Sequence, residues 1–281
     1  MYGLASVEYG EVRCRTALSK SRLPGLDYAL NPYVGCEHGC LYCYARATLR
    51  DEAKALRWGR FVLVKKGLVE RLAREVLRKP KGVVGLSTVT DPYQPIEARL
   101  RLTRRCLEIL VRKGFPVSIQ TKSKLVLRDL DLIKAGKVDV GMTITTMDDS
   151  LASMVEPRSS RPSERAEALR RLAEEGVETW VFLGPIIPRL NDSEESIRRV
   201  VEVAYETGSE LIVDKLNLRK WVLESLAPLL DRLYPGLKWE LPDMLRPGSG
   251  YLRELYRRVE RVCRSYGIEY GRFRFISGPE H

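Results

Sequence analysis

Apolar segments rich in β-forming residues alternate with amphipathic segments of helical period along most of the chain. The candidate strands are Ala29–Val34, Val83–Val89, Pro116–Thr121, Val138–Thr145, Thr179–Ile187 and Leu211–Leu218. The candidate helices are Gly67–Arg78, Arg101–Lys113, Leu125–Ala135, Ser163–Glu175 and Ser193–Thr207. This alternation predicts an α/β protein with parallel strands and right-handed crossovers. Because six units are too few to close an eight-unit barrel, we expect an open, partial (β/α)6 barrel.

Three consecutive regions follow one another without a linker or an internal repeat. Residues 1–27 form an N-terminal extension, residues 28–220 the partial barrel, and residues 221–281 a helical C-terminal extension with a final strand over Ile268–Phe275. We expect the C-terminal extension to pack on the barrel within one structural unit. The predicted helix caps are Ser123, Ser163, and Asp192 or Ser193. Functional side chains in such folds gather at the carboxyl ends of the strands.

The composition suits a soluble, cytoplasmic protein. No apolar run approaches the roughly 18 residues of a membrane span, and the N-terminus lacks the pattern of a signal peptide. The 48 Lys and Arg residues exceed the 37 Asp and Glu residues, which gives a net charge of +11. This excess suits an anionic partner such as nucleic acid. It also suits a thermophile, because Asn and Gln are few and 30% of the residues are charged.

Three of the six cysteines, Cys36, Cys40 and Cys43, lie within eight residues, directly after the first predicted strand. Thiolates with the spacing Cys-x3-Cys-x2-Cys can converge on one face of an iron–sulfur cubane. Gly35 and Gly39 allow the backbone to bend around such a cluster. Three cysteines leave one iron of a [4Fe–4S] cluster without a protein ligand.

A structural zinc site made by the same three cysteines with His38 is the alternative. Structural zinc ligands usually come as two separated pairs, whereas all of these residues lie in one loop, which favours the cluster. Cys106 lies on the apolar face of a predicted helix and Cys263 lies in a helical segment, so we expect both in the core. Cys14 has no assigned role.

The wider loop sequence, GCEHGCLYCYAR over residues 35–46, resembles the cysteine motif of the radical S-adenosylmethionine (radical SAM) superfamily. It is similar in particular to the spore photoproduct lyase-like branch, whose members are often labelled DNA repair photolyases. Further segments that resemble this branch are Thr90–Glu97, Gln120–Ser123, Glu156–Arg158, and Pro185–Pro188 with Asn191. The resemblance extends from Leu30 to Asn217, which is most of the predicted barrel.

The resemblance implies that Cys36, Cys40 and Cys43 bind a [4Fe–4S] cluster whose open iron binds S-adenosylmethionine (SAM). An electron donor such as ferredoxin or flavodoxin would drive cleavage of SAM to a 5′-deoxyadenosyl radical, which abstracts hydrogen from a substrate. We expect a monomer that does not act at a membrane. The residues expected to contact the cofactor are Tyr42, Ser87, Thr88, Asp91, Lys122, Ser123, Thr143, Thr145, Glu156 and Arg158.

Several of these candidates also have an ordinary structural interpretation. Thr143 and Thr145 are suited to fill the barrel interior. Glu156 and Arg158 are suited to a local ion pair, and the prolines that follow Asp91 to a rigid turn. Further candidates for cofactor or substrate contacts are Glu97, Lys215 and Asn217.

The sequence departs from spore photoproduct lyase in one place. That enzyme uses a cysteine near the end of its second strand to return hydrogen to its product, whereas residues 86–91 here contain no cysteine. Three hypotheses stay open: a radical enzyme acting on nucleic acid or a nucleotide, a radical enzyme acting on a peptide or small metabolite, and a non-catalytic zinc or iron–sulfur protein.

Overall fold

The computed structural model describes residues 6–269 and 271–276. Its strands are β1 (Glu8–Arg13), β2 (Ser19–Lys20), β3 (Tyr28–Leu30), β4 (Tyr33–Val34), β5 (Phe61–Lys66), β6 (Val84–Leu86), β7 (Val117–Thr121), β8 (Val138–Thr143), β9 (Thr179–Ile186), β10 (Glu210–Lys215) and β11 (Phe273–Phe275). Its α-helices are α1 (Glu52–Leu56), α2 (Leu68–Glu75), α3 (Glu97–Leu100), α4 (Leu102–Arg112), α5 (Leu130–Ala135), α6 (Asp149–Val155), α7 (Pro162–Glu174), α8 (Glu194–Glu206), α9 (Val222–Leu233), α10 (Leu237–Met244) and α11 (Gly250–Ser265). Two 3-10 helices cover Tyr44–Thr48 and Lys124–Asp129. Residues 1–5, 270 and 277–281 of the predicted extensions lie outside the described residues.

Eight strands form one sheet in the order β11-β10-β9-β8-β7-β6-β3-β2. Every neighbouring pair is parallel except β2 with β3. The six strands predicted from the sequence all contribute to this sheet, as β3 and β6 to β10. Because β2 and β11 are edge strands of the described sheet, the sheet is open. The predicted α/β fold with a parallel, unclosed sheet is confirmed.

Side chains of the central strands alternate between two faces of the sheet, as the period of two requires. In β7, Val117, Ile119 and Thr121 are buried, whereas Ser118 and Gln120 are only half-buried. The buried set packs beneath helices such as α4. The half-buried set therefore faces the interior of the partial barrel, where functional groups are expected.

The first predicted strand, Ala29–Val34, is in fact two strands in two sheets. β3 belongs to the large sheet, and β4 belongs to a three-stranded sheet of order β1-β5-β4. Pro32 lies between them and has no N–H for a ladder. The side chain of Asn31 accepts the N–H groups of Thr88 (2.9 Å) and Val89 (3.1 Å). The second sheet, whose strands β1 and β5 were not predicted, places the N-terminal extension beside the cysteine loop.

The C-terminal extension contains α9, α10, α11 and the final strand β11, which is shorter than the strand predicted over Ile268–Phe275. β11 pairs with β10 at the sheet edge, and α11 packs on α8. Cys106 and Cys263 are fully buried, which confirms their place in the core. None of the helices within residues 6–269 and 271–276 has the length and apolar character needed to cross a membrane.

The helix caps agree with the prediction at two positions and differ at one. Ser193 and Ser123 cap their helices through the side chain. The prediction for Ser163 is wrong, because α7 begins at Pro162 and the N-cap is Arg161. Proline suits the first helical position because its φ is already fixed near the helical value.

Candidate active site

The conformation of the cysteine loop depends on glycine. Gly35 (φ +85°) and Gly39 (φ +61°) adopt left-handed backbone conformations. A Cβ atom at Gly35 would lie 2.5 Å from the carbonyl oxygen of Phe61, and one at Gly59 would lie 2.7 Å from the Cα of Gly39. The loop therefore packs backbone to backbone against the segment that leads into β5, which fixes its path.

All three loop cysteines, Cys36, Cys40 and Cys43, lie on the wall of one cavity of about 160 Å³. The predicted cofactor contacts that line the same cavity are Tyr42, Ser87, Thr88, Asp91, Lys122 and Thr143. The other four candidates lie outside its lining: Ser123, Thr145, Glu156 and Arg158. The fold thus brings the cysteines together with six residues from several strand ends.

The cysteine thiols occupy a buried, charged environment. Burial raises the pKa of Cys36 to about 12, with a further contribution from Asp91, while Lys122 opposes the shift. Burial also raises the pKa of Cys40 and of Cys43. Because the thiolate is the form that binds a metal, each thiol must lose its proton on ligation. Lys122 offsets part of the negative charge that results.

Asp91, in the segment after β6, contacts the backbone of Lys122, which directly follows β7. The Asp91 carboxylate accepts hydrogen bonds from the Thr121 hydroxyl (2.7 Å) and the Lys122 N–H (2.9 Å). Burial favours the neutral acid, but His38 and Lys122 outweigh it and hold the pKa of Asp91 well below its usual range. Burial disfavours the Lys122 ammonium, yet the nearby cysteines and the carboxylates of Asp91 and Glu156 outweigh it and raise its pKa. Both groups are therefore charged at neutral pH.

His38 contacts Asp91, which bears on the zinc alternative. Its Nδ1 lies 3.3 Å from Asp91 Oδ2. In the part of the chain that the structure describes, no three His, Cys, Asp or Glu side chains surround one point as a single-ion site requires. The geometry thus gives no support to a zinc site made by the three cysteines with His38.

Glu156 lies behind the cavity wall, at the centre of a buried hydrogen-bond network. Its carboxylate accepts hydrogen bonds from the hydroxyls of Tyr42 and Thr145 and pairs with the guanidinium of Arg165. The side chains of Arg165 and Glu156 are 1% and 0% exposed. Arg165 is not among the residues predicted from the sequence, although an arginine on the apolar face of an amphipathic helix is a signal for a buried ion pair. The network fixes Tyr42 against the cavity.

Arg158 and Ser123 have structural partners as well. The Arg158 guanidinium donates to the carbonyl oxygen of Gly59 (2.8 Å), and so ties the segment after α6 to the segment before β5. The Ser123 hydroxyl accepts the Leu125 N–H (3.3 Å) at the start of a 3-10 helix. Both residues support the site from outside the cavity.

A further wall of the cavity is formed at the end of β10 by Asp214 and Lys215, and just after it by Asn217. The Asn217 side-chain amide donates to Asp214 Oδ2 (2.8 Å). Two of the additional sequence candidates therefore lie at the cavity. The third, Glu97, is fully buried elsewhere and pairs with Arg128 (2.8 Å).

Glu37 and Gln94 connect the cysteine loop to the segment after β6. Neither is among the site residues predicted from the sequence. Gln94 Oε1 accepts the Glu37 N–H (2.9 Å), and Glu37 Oε1 accepts the Ile96 N–H (2.6 Å). The Thr90 hydroxyl donates to the Gly35 carbonyl (2.6 Å). The proline-rich segment after β6 thus braces the cysteine loop.

The model of the radical SAM superfamily matches residues 30–201, more than half of the chain. The chain belongs to the radical SAM superfamily. An uncharacterized protein of Methanocaldococcus jannaschii is 36% identical over 191 residues, which are 68% of this chain and 72% of the relative. An uncharacterized protein of Mycobacterium tuberculosis is 32% identical over 273 residues, 92% of this chain and 79% of the relative.

A solved structure of spore photoproduct lyase, complexed with dinucleoside spore photoproduct, is similar with a TM-score of 0.65. The match covers 95% of this chain and 80% of that chain at 18% identity. The radical SAM fold of this chain is therefore spore photoproduct lyase-like. Membership of the radical SAM superfamily makes the chain an enzyme of radical SAM chemistry.

Proposed function

We propose that Cys36, Cys40 and Cys43 bind a [4Fe–4S] cluster and that the cavity beside them binds SAM. The observation that carries this proposal is the meeting of the three cysteines with Lys122 on one cavity wall. Three thiolates suit a cubane with one open iron. Lys122 supplies positive charge where three thiolates and a bound carboxylate would otherwise accumulate negative charge.

When bound, the cluster supplies the electron that cleaves SAM to methionine and a 5′-deoxyadenosyl radical, which takes hydrogen from the substrate. The side chains of the cavity bind and orient SAM. Lys122 offers its ammonium to the methionine carboxylate, while Asp91 holds the Lys122 backbone in place. Thr88 and Thr143 present hydroxyls on the same wall, and Tyr42 supplies a ring fixed by its hydrogen bond from behind.

For the substrate we propose a nucleic acid or a nucleotide. The net charge of +11 supports an anionic partner. The spore photoproduct lyase of similar fold has been solved in complex with dinucleoside spore photoproduct. Residues 86–91 contain no cysteine, so the proposal does not include the hydrogen-returning step of that enzyme. The proposed electron donor is a ferredoxin or flavodoxin of the cytoplasm.

Anaerobic reconstitution with iron and sulfide tests the cluster. We expect about four iron and four sulfide per chain, as a cubane requires. Cys40→Ala is expected to lose most of this content, whereas Cys106→Ala, a buried cysteine outside the cavity lining, should keep it. Bound zinc without sulfide in the wild-type protein would contradict the proposal.

Binding to DNA and RNA oligonucleotides at increasing salt tests the substrate class. Phosphate contacts release counterions, so affinity should fall by about 10³-fold or more between 50 and 200 mM salt if six or more phosphates are contacted. Negligible affinity for both polymers at low salt would exclude nucleic acid as the substrate and leave a free nucleotide.

A further inference from the structure

Most polar groups on the cavity wall have partners within the protein. The Lys122 ammonium is surrounded by Cys40, Asp91 and Glu156. Gln120 donates its side-chain N–H to the Thr143 hydroxyl (3.1 Å). At this end of the cavity, a ligand would therefore contact groups that already interact with other side chains of the protein. Two other wall residues are less well satisfied: the Lys215 ammonium has one long hydrogen bond, and the Ser87 hydroxyl has none.

The first is Lys215, half-buried at the end of β10. A register shift between β10 and β9 at Val213 and Lys215 allows Asp214 and Lys215, two consecutive residues, to line the same cavity. The ammonium lies 3.5 Å from Asn217 Oδ1. Among the described residues, no carboxylate oxygen lies within 4.0 Å of it. The cavity therefore presents, besides Lys122, a second lysine that has no ion-pair partner among the described residues.

The second is Ser87, which follows β6. Its backbone is left-handed (φ +69°), a conformation that a serine rarely adopts. Its N–H donates to the Leu30 carbonyl (2.8 Å), and Asn31 holds the two N–H groups that follow. The hydroxyl is buried and has no hydrogen-bond partner. A buried hydroxyl without a partner is costly, so a rigid loop that presents one to a cavity indicates a ligand.

We propose that Lys215 and Ser87 form the substrate subsite of this cavity. Lys215 binds a phosphate group, and Ser87 hydrogen-bonds another part of the same molecule, in place of the cofactor contact that the resemblance implied for it. The proposal rests on the proposed function for the place of SAM beside Lys122. It deepens that function, because it requires a substrate unit that carries phosphate. Phe182 and Tyr44 line the same cavity and offer flat surfaces to a ring.

Isothermal titration calorimetry with two probes tests the subsite. Thymidine 5′-monophosphate and uncharged thymidine are titrated into oxidised, reconstituted protein in the presence of SAM, so that the Lys122 region is filled. We expect the phosphate to strengthen binding by about 10- to 100-fold, as hydrogen bonds to charged groups do. Lys215→Gln should abolish this difference, while thymidine binding stays unchanged. Ser87→Ala should weaken both probes by about threefold to tenfold.

Lys238→Gln is the matched control, because Lys238 is also half-buried but pairs with Asp231 on the C-terminal extension. Both probes should bind this variant as they bind the wild type. Equal binding of the two probes to the wild type, or a phosphate preference that survives Lys215→Gln, would overturn the proposal. Formation of 5′-deoxyadenosine by the wild type is measured separately, so failure of the subsite is distinguished from failure of the SAM-cleaving function.

Discussion

The surroundings of the cysteine loop and the C-terminal extension are stabilised by different interactions. The buried charged side chains around the loop include Glu37, Asp91, Glu156 and Arg165. Within its described residues, the C-terminal extension buries apolar side chains, which include Leu226, Leu230, Leu237, Leu241, Leu252, Leu255 and Val259. The surroundings of the loop position the side chains of the candidate site, whereas the C-terminal extension covers the edge of the sheet.

Substitution of a buried charged side chain should have a different effect from substitution of a buried aliphatic side chain. A buried ion pair adds little net stability, but removal of one partner leaves an uncompensated charge in the protein interior. It also fixes directions, as Glu156 does for Tyr42. Apolar burial is non-directional and scales with area. We therefore expect changes near the loop to disturb both stability and iron binding, and changes in the extension to disturb stability alone.

The largest effect is expected from Arg165→Met, which leaves the Glu156 carboxylate buried without its cation. Loss of one partner of a buried pair should reduce the free energy of unfolding by about 3–5 kcal/mol. Urea denaturation measures this change. The control, Arg170→Met, removes an exposed arginine of the same helix that pairs with Glu206 (2.8 Å), and should cost less than about 1 kcal/mol. Equal losses of unfolding free energy in the two variants would contradict the claim that the buried pair near the loop differs from an exposed one.

A second effect is expected in the C-terminal extension from Leu255→Ala. Leu255 is 1% exposed, so the cavity left behind should cost about 2–5 kcal/mol in denaturant unfolding. Iron content after reconstitution should equal that of the wild type at a temperature where the variant is folded. The control, Leu56→Ala, changes a leucine that is 59% exposed and should alter stability by less than about 0.5 kcal/mol. Loss of iron from the folded Leu255 variant would contradict the separation.

Gly59→Ala should affect the loop more selectively. Its Cβ would lie 2.7 Å from Gly39, so the loop must shift, at a cost of about 1–3 kcal/mol. We expect iron content to fall in proportion to this displacement. Gly176→Ala is the matched control, because Gly176 has a similar φ of +76° but open space around it. It shares the backbone strain and should keep full iron content.

The smallest effect is expected from Glu75→Gln and depends on pH. Burial favours neutral Glu75, but the N–H groups of Leu18 and Ala17 and the Lys79 ammonium outweigh it and lower the pKa. A lowered carboxyl pKa adds stability above its unfolded value of about 4.3, and that stability is lost as the pH falls through the folded pKa. Wild type should therefore exceed the variant by about 1 kcal/mol at pH 7. A difference that does not shrink in acid denaturation profiles would contradict this assignment.

The sequence predicts the main strands well because their apolar pattern is strong and each is followed by a helical period. It does not predict β1, whose side chains are mostly exposed and show no apolar alternation. It also does not predict that Asn31 and Pro32 divide one apolar segment between two sheets. Both features depend on pairing with β5. This strand lies about 50 residues after β1 and about 30 residues after β4 in the sequence.

Residues of the candidate site can be predicted from the sequence where their spacing or their position at the end of a strand is distinctive. The cysteine spacing and the place of Lys122 at a strand end are of this kind. The partner of Glu156 is not, because Arg165 is one of several arginines in its helix and only tertiary packing selects it. The strained backbone of Ser87 also has no sequence signal, since serine is not expected at positive φ.

The most direct test of the account is the formation of 5′-deoxyadenosine by the reconstituted protein with dithionite and SAM under anaerobic conditions. We predict that the wild type and Cys106→Ala form 5′-deoxyadenosine and that Cys40→Ala does not. Absence of 5′-deoxyadenosine from wild-type protein that carries a full complement of iron and sulfide would contradict the claim that this cavity cleaves SAM.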